Sequence, residues 1–68
     1  MYIYPKFKDI RIRKGYTQNQ IAKYLNIQQV VYSRYETGER EMPLHCAIEL
    51  AKLYKVSIDF LVGLSIKE

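Results

Sequence analysis

Residues 17–38, TQNQIAKYLNIQQVVYSRYETG, carry two apolar stripes of helical period separated by only Asn26 and Ile27. Thr17 is a helix-initiating cap, Gln20 stands three residues on to close a capping box, and Tyr16 is placed to staple onto Ile21. A helix over Gln18–Leu25 follows, with Ile21, Ala22 and Leu25 inward and small Ala22 admitting a close neighbour. Asparagine tolerates positive φ, so Asn26 suits a tight corner. The next helix occupies about Gln28 to Thr37 and ends at Gly38. Two short helices joined this closely must turn sharply on each other, which restricts the folds open to the chain.

The flanks add three more helices. One runs from Pro5 or Lys6 to Lys14, with Phe7, Ile10 and the stem of Lys14 inward, Ile12 off the stripe, and Gly15 as the stop. Another begins near Pro43 and reaches about Lys55, with Leu44, Ala47, Ile48, Ala51 and Tyr54 inward. Ser57 caps a short fifth helix, with Val56 and Leu61 spaced as a staple and Gly63 ending it. The terminal stretches MYIY and LSIK are rich enough in β-branched and aromatic residues to permit short strands. The expectation is one all-α domain over residues 1–68. At that length a single apolar core is near its lower limit, and a second chain can share the burial. No apolar run approaches the roughly 20 residues of a membrane helix. The start MYIYPKFK lacks the pattern of a signal peptide, so a cytoplasmic protein is expected. Cys46 is the single cysteine and cannot form an internal disulfide.

Helical projection of the third helix puts Val31, Tyr32 and Tyr35 on one arc and Gln29, Val30, Ser33, Arg34 and Thr37 on the other. The second arc has little to bury. Its groups match the major groove: a glutamine amide pairs with adenine, arginine with guanine or phosphate, serine with several partners, and valine with a thymine methyl. The plainer alternative is an ordinary solvated face, against which an outward Val30 counts. Charge supports the first reading. Residues 1–40 carry Lys6, Lys8, Arg11, Arg13, Lys14, Lys23, Arg34 and Arg40 against Asp9, Glu36 and Glu39, a net +5, while the whole chain carries +4.

The stretches GYTQNQIAKYLNIQQVVYSRYETGER and PLHCAIELAKLYKVSIDFLVG resemble the helix-turn-helix core and the last two helices of the Cro/phage-repressor class, also called the XRE family. The resemblance covers about residues 5–63 and implies a compact five-helix, lambda-repressor-like DNA-binding domain. It implies that Gln18 lies against the DNA backbone, and that Gln29, Val30, Ser33 and Arg34, with Gln28 at the helix entrance, reach base edges. It implies further that Thr37 and Arg40 grip phosphates, and that Arg11 and Glu36 pair between the first and third helices. Three positions depart from the family pattern: Gln28 and Pro43 replace capping serine or threonine, and Asn26 replaces a common glycine.

Other constellations are weaker. His45 and Cys46 are adjacent but point about 100° apart on a helix, and no further histidine or cysteine completes a metal set or a catalytic dyad. Neither an enzyme nor a cofactor nor a small-molecule ligand is indicated. Tyr16, Tyr32, Tyr35 and Tyr54 fall on core faces, leaving Tyr2, Tyr4 and Tyr24 too scattered for a base-stacking platform. Leu53, Phe60, Val62 and Leu64 exceed what five helices can cover and suggest an apolar patch near the carboxyl end, the family's common site of homodimer contact. The sequence thus points to a homodimeric, sequence-specific binder of double-stranded DNA that regulates transcription, a repressor before an activator because occupancy alone suffices. The competing reading is an antitoxin or adaptor module that holds another protein through the carboxyl-terminal patch.

Overall fold

A computed structural model, describing residues 4–64 and 66, contains five helices: α1 (Pro5–Arg13), α2 (Gln18–Leu25), α3 (Gln29–Thr37), α4 (Leu44–Tyr54) and α5 (Ile58–Leu61). The fold is all-α among these residues. The strands entertained for MYIY and LSIK fall largely on residues 1–3, 65 and 67, outside the described ones.

Helices this short are marginal in isolation, so their ends must be specified locally. Three of them close with the same device. The Tyr16 N–H reaches back to the Arg11 carbonyl, Ile27 to Ala22 and Val56 to Ala51, each at 3.0 Å. In each case the preceding residue, Gly15 (φ 86°), Asn26 (φ 60°) or Lys55 (φ 58°), is left-handed, the geometry of a Schellman motif. The start of α2 has both halves of its capping box: Gln20 N–H donates to Thr17 Oγ1 at 3.1 Å and Thr17 N–H donates to Gln20 Oε1 at 2.8 Å. Ser57 Oγ likewise accepts from Phe60 N–H at 3.0 Å. Gln28 and Pro43, where the family pattern has hydroxyl caps, precede α3 and α4 without a side-chain cap bond.

Packing pairs α2 with α3, α4 with α5, and α1 with both α3 and α5. Phe7, Ile10, Ile21, Tyr32, Leu50, Tyr54 and Leu61 are the largest fully buried side chains. Two facing assignments from the sequence need correction. On α4 the inward stripe is Cys46, Ala47, Leu50, Ala51 and Tyr54, while Leu44 is 68% exposed and Ile48 only half-buried. The helix begins after Pro43, with Leu44 and His45 exposed ahead of its first buried residue, Cys46. On α1 the stripe is Phe7, Ile10 and Arg11; Lys14 lies past the helix end and is exposed. Phe60, expected in an uncovered patch, is buried, with Lys6 Nζ 5.1 Å and the Arg13 guanidinium 5.7 Å from its ring centre. Tyr4, expected at the surface, is half-buried and stacks on Phe7 at 5.0 Å.

Asn26 carries the turn between α2 and α3, and its left-handed backbone disfavours a β-carbon lacking local hydrogen-bonding ability. Asn26→Ala should lower stability by about 1 kcal/mol and Asn26→Gly by less, read as shifts of the urea midpoint at unchanged slope.

Candidate nucleic-acid interface

The inward side of α3 is spent on the core: Tyr32 and Tyr35 are buried and Val31 is half-buried against them. Gln28, Gln29, Arg34 and Thr37 are exposed, Val30 is 52% exposed, and Ser33 is half-buried at the margin. Two amides, a guanidinium and a branched aliphatic group therefore stand on one rod with few internal commitments. Gln28 is the residue before the helix, at the entrance of that face.

The far end of α3 gathers three of the expected contact residues. Gly38 (φ 85°) releases the chain, and the Arg34 carbonyl then accepts from the Thr37 hydroxyl at 3.2 Å and from the Arg40 N–H at 3.3 Å. The Arg34 guanidinium stands 3.9 Å from the Glu39 carboxylate, with both side chains about half exposed or more. Such a pair is screened and readily given up. Arg40 is exposed beside it.

Behind this face lies a polar hub. Arg11 is 8% exposed. Its Nε donates to Glu36 Oε2 at 2.6 Å, its second terminal nitrogen to Glu36 Oε1 at 3.3 Å, and its first to the Tyr16 carbonyl at 2.8 Å. Gln18, half-buried at the start of α2, donates from Nε2 to Glu36 Oε1 at 3.1 Å. Burial by itself would raise the Glu36 carboxyl, but hydrogen bonds from Arg11 and Gln18, the nearness of the Tyr32 hydroxyl and the Arg11 charge hold it below the ordinary carboxylate range. The same bond to Glu36 raises Arg11. The Tyr32 and Tyr54 hydroxyls are enclosed without a hydrogen-bond partner of good geometry, and burial together with the negative Glu36 raises both phenols. Sequence reading missed the Gln18–Glu36 bond, since partners 18 residues apart on different helices leave no periodic signal.

Gln18 is thus placed with Arg11 and Glu36, while Arg34, Thr37 and Arg40 form a second group at the end of α3. Cys46 is buried, which raises its thiol, and His45 is exposed. Among the described residues no group of three or more His, Cys, Asp and Glu side chains could hold a metal ion, and no helix is long and apolar enough to cross a membrane.

Removing one member of a buried pair strands the other. Arg11→Met should cost about 3–5 kcal/mol, measured by urea unfolding at neutral pH. Because the folded Glu36 carboxyl is depressed below 4.5, its stabilisation is complete above that value and is lost as pH falls through the lower folded one. The decline of the urea midpoint below about pH 4.5 should therefore be shallower in Glu36→Gln than in the wild type.

Comparison with known proteins agrees with this geometry. Residues 7–61 match the model of the family described as Helix-turn-helix. The HTH-type transcriptional regulator ImmR of Bacillus subtilis is 38% identical over 58 residues, 85% of this chain and 46% of that protein. The uncharacterized, SPbeta prophage-derived HTH-type transcriptional regulator YonR of the same organism is 37% identical over 57 residues, 84% of this chain and 53% of that protein. A crystal structure of a transcriptional regulator from Listeria innocua superposes with a TM-score of 0.81 at 32% identity, over 93% of this chain and 58% of that one. The chain spans about half the length of the curated relatives it matches. It belongs to the helix-turn-helix family, in its Cro/phage-repressor branch.

Proposed function

We propose that the chain binds double-stranded DNA sequence-specifically, as a homodimer in the cytoplasm, and represses transcription by occupying its site. The observation that carries this reading is the outward face of α3. Val30 is 52% exposed between Gln29 and Arg34 on a helix whose other side is fully used in the core. One exposed valine is ordinary on a solvated face, but grouped with an amide and a guanidinium on the uncommitted side of one helix it completes a set that a groove lined by thymine methyls and base edges can use. Family membership and relatives named as transcriptional regulators support the same conclusion. In this reading Gln28, Gln29, Val30, Ser33 and Arg34 meet base edges in the major groove, and Gln18, Thr37 and Arg40 meet phosphates. Two copies would set their α3 helices in successive grooves, about 34 Å apart.

An antitoxin-like or adaptor role is the second reading. It is favoured by a cavity of about 520 Å³ bordered by Tyr4, Phe7, Met42, Leu44, Ile58 and Val62, together with Leu64 and Ile66 at 80% and 95% exposure. Apolar area of this kind is what protein partners cover, and a dimer of the chain would use the same side.

Selection of binding sites from a random duplex pool separates the roles of the residues. Gln29→Ala should relax preference at one position of each half-site, a loss of about 1–3 kcal/mol in discrimination. Arg40→Ala should weaken all duplexes alike and reduce the salt slope by about 1 per protomer. An unchanged consensus for Gln29→Ala would remove that residue from base reading.

A further inference from the structure

We propose that Glu36 is a positioning residue for DNA: beyond anchoring α3, it orients the Gln18 amide as a dedicated hydrogen-bond donor to a backbone phosphate. The inference rests on the reading of Gln18 as a phosphate contact and assigns the group behind it.

A glutamine amide offers an acceptor at one end and a donor at the other, and in water it presents either. At Gln18 the choice is made by its neighbour. An ionised carboxylate only accepts, so the nitrogen end must face Glu36 Oε1, 3.1 Å away. The Glu36 side chain is 3% exposed and keeps its charge because Arg11 donates to both of its oxygens. Of the two Gln18 Nε2 hydrogens one is occupied, and planar amide geometry directs the other away from Glu36. A phosphate oxygen, which also only accepts, is the complement of that free N–H. A lone carboxylate behind the contact would repel a phosphate; Arg11 cancels that charge, leaving an acceptor without net repulsion. The amide enters the complex with its orientation already set and loses little rotamer freedom on binding.

The buried pair also supplies a means of testing this apart from folding, because replacing both members with apolar groups of similar size is often neutral to stability. The full chain would be compared with Arg11→Met/Glu36→Met, with Gln18→Ala, and with all three substitutions together. Binding to a fluorescent 20-base-pair duplex of mixed sequence would be followed at 50 mM salt, with the folded fraction measured by circular dichroism. Loss of the Arg11 charge weakens binding in both Gln18 backgrounds and drops out of the cycle. Gln18→Ala should weaken the wild type about 3- to 10-fold but the paired-methionine variant less than about 2-fold. In the wild-type protein at neutral pH, nuclear magnetic resonance should give the Gln18 side-chain amide two well-separated proton signals. These should move as Glu36 protonates on acidification and shift again when the same duplex is added.

Equal effects of Gln18→Ala in both backgrounds would overturn the positioning role, as would a Gln18 amide indifferent to Glu36 protonation. A Gln18→Ala protein that binds as well as the wild type would overturn this inference and leave the proposed DNA binding intact. Wild-type protein that ignores the duplex altogether would overturn both. Should the paired-methionine variant fail to fold, the titration of the wild-type amide decides alone.

Discussion

Three helices are tied at one carboxylate. Glu36 projects from α3, takes two hydrogen bonds from Arg11 on α1 and a third from Gln18 on α2, and Arg11 turns its remaining nitrogen to the Tyr16 carbonyl just ahead of α2. Charges buried this deeply cost several kcal/mol each to desolvate, and only near-complete pairing recovers that cost. The arrangement satisfies the condition on both sides, and it tolerates few relative orientations of the helices. An apolar contact in the same place would bring α1, α2 and α3 together but would let α3 roll or slide by small amounts. Directional bonds to a single carboxylate remove that freedom.

The same logic explains why such short helices hold their boundaries. None of the five exceeds 11 residues, too few to be stable alone. Left-handed residues at Gly15, Asn26 and Lys55 absorb the last carbonyls of three helices, and the box at Thr17 and Gln20 satisfies the first donors of α2. Asn26 has two tasks: it ends α2 and it aims the chain so that α3 begins after Gln28. With the turn so brief, the direction of α3 follows from the end of α2, and Glu36 fixes the helix again near its other end.

Features that depend on neighbours in sequence were legible before any coordinates. The limits of α2, the ends at Gly15 and Gly38, the Ser57 cap and the division of α3 into two faces all follow from residues within one turn of each other. Features that depend on which surface arrives from elsewhere were not. Leu44 fits the apolar period of α4 as well as Leu50 does, and only the approach of the other helices decides that Leu50 is covered and Leu44 left 68% exposed. Phe60 looked surplus because lysine and arginine count as solvent-seeking, yet the Lys6 ammonium and the Arg13 guanidinium stand over its ring. Arg11 and Glu36 came from resemblance to a family, since 25 residues separate them. That reading gave Gln18 as a contact to the DNA backbone but not its bond to Glu36, because a third partner of a buried carboxylate is visible only when all three side chains are placed.

The inner and outer halves of α3 are built to opposite standards. Inside, Glu36 has its acceptors engaged and Tyr32 and Tyr35 have no room to move. Outside, Gln29 and Val30 are open to solvent, and the partner of Arg34 is a carboxylate at 3.9 Å with both side chains well exposed. An exposed pair at that distance contributes little, so Arg34 loses little by leaving Glu39 for a bidentate acceptor, which binds a guanidinium far more strongly. In the proposed function α3 reads base edges, and such a reader needs both properties. Selectivity among bases comes from hydrogen bonds sensitive to fractions of an ångström, which a loosely seated helix would blur. Exchange between sites requires that the side chains making those bonds be cheaply detached. The buried pair provides the first condition and the weak surface pair the second, along a helix of nine residues.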